Sequence, residues 1–338
     1  MANSIASTKN YTTILDEVYQ RAAVSACLNS PRRMVRAGRN AKEIMVPKIQ
    51  VSGLGNYTRN VGYKTGSITY EFETKTFNYD RGIRLLADVM DVEEAGMLDC
   101  FVEAGSELQR TQVAPEADAF TFAEIAGHEG VSTATTDYSD AEAEDVLADL
   151  RAATNAMDEA QVTTGSRYLF ITPTLKGVLD DFSLANPTRS NRVLERFSRI
   201  VEVPQVRFYS HIDLLSGDED QFGYAPAEGS YELTSDTEVA SGKTYYTESS
   251  GTYSKVASPQ KSGLSTYYEL VGAGAPINFL VVEKSAVIKF DKHVASRVFS
   301  PDELESLDSY MMKYRKYGIV ELLDNKLDGV RASLAPLE

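Results

Sequence analysis

Tyr63-Lys-Thr-Gly-Ser-Ile-Thr-Tyr-Glu-Phe-Glu-Thr-Lys-Thr-Phe-Asn-Tyr79 decides how this chain is read. Ile68, Tyr70 and Phe72 alternate with polar residues, which places them on one face of a strand. The apolar positions then change phase to Phe77 and Tyr79, as a bend or bulge requires. Gly62 and Gly66 flank the start of the stretch, and Asp80-Arg-Gly82 reads as the turn that closes it. The stretch runs on into an acidic helix that reaches Arg110, so the segment from Tyr63 to Arg110 is a strand hairpin followed by a strut. A two-stranded ribbon is marginal in water by itself. This one must lie against something, and another copy of the chain is the nearest supply.

Upstream, Ile44-Met-Val-Pro-Lys-Ile-Gln-Val51 is strand-like, but Pro47 confines it to an edge or an extended element. Ser52-Gly-Leu-Gly-Asn56 turns the chain back. Residues 1 to 42 read as an arm, with a helical patch at Ile14, Val18 and Ala22, the Pro31-Arg-Arg turn, and a basic stretch of Arg32, Arg33, Arg36, Arg39 and Lys42. Five cations without interleaved aromatics are a solvated or partner-pairing segment before they are a nucleic-acid site.

Downstream, Met97, Phe101, Ala104 and Leu108 form one apolar stripe of a helix, with Asp91 and Glu94 placed as cap and third-position acid. Glu93, Glu94, Asp99, Glu103 and Glu107 cover the other side, and Pro115 marks the expected end. A second helix is expected from Ser139-Asp-Ala-Glu142, carrying Val146, Leu150, Ala153 and Met157 on one face. Tyr168-Leu-Phe-Ile-Thr172 reads as a buried strand, and Pro173 opens a helix with Leu175, Val178, Leu179 and Phe182 inward. A strand pair is expected around Val201 to Tyr209, and Ile277-Asn-Phe-Leu-Val-Val282 is a strong strand.

Between these strands the composition shifts. Asp218 to Tyr268 holds 8 acidic and 3 basic side chains and is rich in Ser, Thr, Gly and Tyr. Tyr231-Glu-Leu-Thr, Thr244-Tyr-Tyr-Thr and Thr252-Tyr-Ser-Lys-Val read as short strands of an inserted β-module. Its tyrosines suit the cover of a thin core better than a recognition surface.

The chain has 338 residues, enough for two or three compact units, and 43% hydrophobic content is ordinary for a folded protein. No apolar run is long enough to span a membrane, and Met1-Ala-Asn-Ser-Ile lacks the pattern of a signal peptide, so no membrane association is expected. A formal charge of −15 repels phosphate and argues against a general nucleic-acid binder. Cys27 and Cys100 lack CxxC spacing and read as buried free thiols. His128, His211 and His293 stand apart from any HExxH or HxH pattern, so no metal site is expected. Gly53-Leu-Gly55 lacks the third glycine and the following helix of a dinucleotide site, and no GxxxxGK run or GxSxG elbow occurs. Asp324, Asp328 and Gly329 follow a calcium loop only until Ala335 stands in place of its final glutamate. Carboxylate runs such as Asp218-Glu-Asp220 read as solvated charge. No cofactor, no catalytic pair and no enzyme activity are expected.

Gly53-Leu-Gly-Asn-Tyr-Thr-Arg59, Gly62-Tyr, the ribbon, Asp80-Arg-Gly82, Asp88, Asp91 and Glu94 resemble the front half of tailed-bacteriophage major capsid proteins. Ile277-Asn-Phe-Leu-Val-Val, Ala286-Val-Ile, Lys289, Arg297-Val-Phe, Pro301, Arg315-Lys-Tyr and Asn325-Lys-Leu-Asp-Gly329 resemble their closing region. The resemblance implies an α+β, Hong Kong 97-like fold: an arm over 1–42, an extended loop over 43–86, a spine helix and peripheral domain over 87–139, an axial domain over 140–285 with the insertion near 217–268, and peripheral return strands over 286–338. It also implies a structural protein that self-assembles into pentamers and hexamers of an icosahedral virion capsid around double-stranded DNA, made in the host cytoplasm. Portal and scaffolding proteins, and decoration proteins, are the implied partners. Ile68, Tyr70, Phe72 and Arg81 would contact the neighbouring subunit, and Arg32, Arg33 and Arg36 would pair with spine acids Glu94, Glu103 and Glu107 of other copies. Some relatives weld their shells through Lys to Asn bonds, for which Lys64 and Asn325 are the nominees here. An encapsulin-like compartment shell shares the implied fold, and a phage surface-binding protein using the β-module is the rival from another class.

Overall fold

The structure, a computed structural model, describes residues 23–31, 36–37, 43–57, 59–60, 62–90, 105–186, 192–236, 238–239, 243–249, 251–256, 258–303 and 308–337. These divide into two compact units. The first takes the described residues within Met1–Leu28, Met97–Ile288 and Glu321–Glu338, the second those within Asn29–Gly96 and Lys289–Val320.

The second unit opens with β1 (Arg36–Ala37), β2 (Glu43–Val51) and β3 (Ile68–Thr76), an antiparallel sheet in the order β1-β2-β3. Among the described residues, β1 reaches Met45 and Ile44 of β2 and none pairs with Pro47 on that side. The phase change after β3 is a break at 77–78, after which β4 (Tyr79–Asp88) joins a different sheet. Asn78 carries the chain across that break: its side-chain amide donates to the Val320 carbonyl at 2.7 Å and its oxygen accepts from the Val320 N–H at 3.1 Å.

Asp80-Arg-Gly82 is not a turn. It lies inside β4, where Gly82 stands opposite Arg315, and a Cβ on Gly82 would come within 2.8 Å of the Tyr314 carbonyl oxygen. The glycine is there for close backbone approach, and Asp80 takes two bonds from the Arg315 guanidinium at 2.9 and 2.8 Å.

In the first unit, residues 105–108 are helical, Gln109–Val113 form a π-turn, and α1 (Ala114–Ala126) follows without interruption. Pro115 thus does not end the helix. In the wide turn the Ala114 N–H reaches back five residues to the Gln109 carbonyl, and this local widening makes room for the proline ring against the preceding turn. Next come β5 (Ser132–Thr135), α2 (Ala143–Glu159), β6 (Arg167–Ile171), α3 (Pro173–Ala185) and β7 (Arg199–Glu202). α2 starts later than Ser139 suggests. Glu142 is its N-cap, in a reciprocal box with Asp145, while Ser139 is held by Asp137 in the preceding loop. The pair expected over Val201 to Tyr209 stops at Glu202, and Gln205–Arg207 is a 3-10 turn.

β8 (Ile212–Leu214) and β9 (Tyr224–Pro226) form a hairpin. The inserted module is the four-stranded sheet β10 (Ser230–Leu233), β11 (Tyr246–Ser249), β12 (Thr252–Lys255) and β13 (Tyr268–Val271), ordered β10-β13-β11-β12. Its tyrosines pack on one another: Tyr231 stacks on Tyr253 at 3.9 Å, and Tyr246 and Tyr268 meet them edge-on at 5.1 Å. Beside them Tyr245 is fully buried and its hydroxyl donates to Asp236, which with Lys243 holds that carboxyl below its usual range.

β14 (Ile277–Glu283), β15 (Val287–Phe299), β16 (Ser309–Leu322) and β17 (Val330–Leu334) complete the strands. The central sheet of the first unit runs β5-β17-β14-β6-β7, and the β15-β16-β4 sheet supplies the second unit. Strand alternation gives the central sheet two apolar faces. Leu169, Ile171, Phe279 and Val281 pack under Val146, Leu150 and Met157 of α2 and Leu175 and Leu179 of α3. On the opposite face, Phe170 meets Phe122 of α1, which also meets Phe208, both at 5.1 Å.

Candidate functional site: an exposed apolar ribbon

The cross-strand register of β2 and β3 sets Pro47 against Phe72, Ile49 against Tyr70 and Val51 against Ile68. These six side chains share one face, on which Tyr70 and Phe72 meet edge-on at 5.1 Å. The face is open to solvent: Ile68 is 74% exposed, Val51 62%, Ile49 60%, Tyr70 54% and Phe72 38%. At the ribbon tip Leu54 is fully exposed, and Tyr57 and Tyr63 lean together with ring centres 4.9 Å apart. Contiguous exposed apolar surface of this kind marks an interaction site.

The base of the same ribbon is anchored. Ile44 and Val46, on the opposite face of β2, are buried at 6% and 9% exposure. β2 therefore offers even positions inward at its base and odd positions outward along its length. Sequence reading named the β3 half of the patch and missed Pro47, Ile49 and Val51, whose alternation carries the same signal.

Below the ribbon, β16 holds charge in the interior. The Lys316 side chain is 2% exposed, 3.2 Å from Asp291, with its ammonium 5.7 Å over the Tyr79 ring. Arg81 is half-buried opposite Lys316 in the β4 ladder, away from the apolar face. The Arg315 guanidinium, held by Asp80, is pushed above its usual range.

Of the other expected contact residues, Arg32, Arg33, Glu94 and Glu103 lie outside the described residues. Arg36 is placed by its backbone in β1, opposite Met45. Glu107 is exposed and already takes a two-pronged bond from Arg110 on its own helix, at 3.0 and 2.8 Å. Lys64 is exposed in the ribbon loop of the second unit, and Asn325 is exposed in a 3-10 turn of the first. Cys27 is half-buried, its thiol near the Val24 carbonyl. Among the described residues no group of three or more His, Cys, Asp or Glu is placed to hold a metal ion, and no helix is long and apolar enough to cross a membrane.

One structural centre was not foreseen. Asp118 of α1 has no exposed surface and accepts from the Val24 and Ser25 N–H groups at 3.0 Å each, the Ser25 hydroxyl at 2.5 Å and Arg207 at 3.2 Å. The first turn after residue 23 is thereby tied to α1.

No family model and no curated protein matches this chain. Solved structures do. The capsid of cyanophage P-SCSP1u aligns over 92% of this chain and 87% of its own, at 13% identity and a TM-score of 0.53. A virus-like particle from Pyrococcus furiosus aligns over 96% and 98%, at 9% identity and 0.51. The mature capsid of bacteriophage PhiM1 aligns over 88% and 83%, at 13% identity and 0.51. Likeness across nearly the whole length at such low identity is likeness of fold: the chain has the α+β, Hong Kong 97-like fold of phage capsid subunits.

Proposed function

We propose that this chain is a major capsid protein, a structural subunit that self-assembles into the pentamers and hexamers of an icosahedral phage shell enclosing double-stranded DNA. The observation that carries the reading is the ribbon. A protein that worked alone would gain by covering Ile49, Val51, Ile68 and Tyr70, yet all four stay open, on a fold that solved phage capsids share. Burying one such side chain is worth about 1.5–3 kcal/mol, and a shell repeats the gain at every copy. The arm cations Arg32, Arg33 and Arg36 pair with spine acids of neighbouring copies in this reading. The acidic chain lets packaged DNA remain mobile within the shell, with no sequence-specific contact.

The likeness to the Pyrococcus furiosus particle favours a second reading, a compartment shell with contents other than viral DNA. Purified particles separate the two. Nuclease treatment followed by extraction is expected to recover protected double-stranded DNA; protein cargo without DNA would replace the first reading by the second. Boiled in SDS, the same particles are expected to give a single band near 37.2 kDa. A ladder of multiples lost on replacing Lys64 or Asn325 would instead establish a covalent bond between them.

A further inference from the structure

Two features of the first unit have opposite chemistry and lie on opposite sides of its central sheet. Between α2, α3 and the segment after Arg192 is an open cavity of about 580 Å³. It is lined by the apolar Leu147, Ala148, Phe182 and Val193 and by three arginines, Arg151, Arg192 and Arg196, against one carboxylate, Glu144. Arg196 is engaged within its own copy by Asp158, Thr154 and Asn155. Arg151 and Arg192 are exposed and have no ion-pair partner among the described residues. In a chain of net charge −15, such a basic groove is out of keeping with the rest.

On the α1 side of the sheet, the β8–β9 hairpin turns through Asp218-Glu-Asp-Gln-Phe222, every residue of it exposed. Phe222 is 61% exposed and lies near Pro115 and Gln112 of the α1 region. The turn is well defined: Gly217 N–H donates to the Gln221 carbonyl at 2.9 Å, and Gln221 N–H to that of Asp218 at 3.0 Å. Glu219 and Asp220 have φ of 52° and 61°, a conformation that glycine fills at less cost. Aspartate tolerates this conformation in turns, which accounts for Asp220 and leaves Glu219 unexplained by turn formation.

We propose that copies of this chain join head to tail through these features, the Asp218–Phe222 turn of one copy seating in the arginine-lined groove of the next. Arg151 and Arg192 would take the carboxylates of Glu219 and Asp220 in charge-assisted bonds, and Phe222 would fill the floor formed by Leu147, Phe182 and Val193. The sheet separates turn and groove, so they do not meet within one copy. A contact between two different surfaces propagates from copy to copy and terminates only by closing a ring. The proposal rests on the shell reading, for which it supplies the contact around a pentamer or hexamer.

Charge reversal of the full-length protein tests it. Arg151→Glu with Arg192→Glu, or Glu219→Lys with Asp220→Lys, is expected to raise the protein concentration for half-assembly about tenfold or more, because like charges then face each other. All four positions are exposed, so far-ultraviolet circular dichroism should be unchanged. Combining the four substitutions restores opposite charges and is expected to recover assembly. If the wild type assembles and neither pair alters it, or the combination is no better than either pair, the proposal fails and the shell reading stands. A wild type that forms no oligomer at any concentration overturns both.

Discussion

Replacing Tyr70 and Phe72 together by aspartate is expected to yield folded subunits that no longer close a shell. Both rings stand on the solvent side of the ribbon, 54% and 38% exposed, while the anchoring side chains Ile44 and Val46 point the other way. Surface changes of this kind usually move subunit stability by no more than about 0.5 kcal/mol. The effect on association is of another size. Each ring buried by a neighbour contributes about 1.5–3 kcal/mol, and a carboxylate placed in that contact adds a desolvation cost. Symmetry imposes the loss at every copy. Circular dichroism and thermal unfolding are expected to match wild type, while particles vanish from sedimentation profiles. Normal shells from the double variant would remove the ribbon from assembly.

The second large effect is expected at Asp118. In Asp118→Ala the Val24 and Ser25 N–H groups and the Ser25 hydroxyl lose the Asp118 carboxylate, and Arg207, 23% exposed, loses its ion pair with it. Breaking a buried pair of this kind costs about 3–5 kcal/mol, with the lost hydrogen bonds adding to the penalty. Asp118→Asn keeps an acceptor oxygen and should lose less. The chain has no tryptophan, so urea unfolding is best followed by circular dichroism. A midpoint for Asp118→Ala equal to wild type would show that the tie is not structural.

The parts of the fold legible in the sequence are those set by local period. Alternation at Ile68, Tyr70 and Phe72 gave the ribbon and the helical stripe Val146, Leu150 and Met157 gave α2, whereas the phase change at Phe77, which reads as a bend or bulge within one strand, is where the chain leaves for a second sheet. The misreadings arise where a distant partner decides. Gly82 resembles a turn glycine until the backbone of Tyr314 is placed against it. Pro115 resembles a helix stop until the π-turn ahead of it is seen. Asp118 is one acid among many in the sequence, and only its contacts with residues 24 and 25 distinguish it. The candidate site was half legible for a similar reason. The apolar face belongs to two strands, and Pro47 drew attention to the edge of β2 and away from the row it forms with Ile49 and Val51.

The most direct test of the ribbon's role is a cryo-electron microscopy reconstruction of particles formed by the full-length chain. The expected map shows a closed shell of pentamers and hexamers in which the ribbon over residues 43–76 lies on an adjacent copy, with Tyr70 and Phe72 covered by it. A shell in which that face remains open to solvent, or a protein that stays monomeric, would contradict the account.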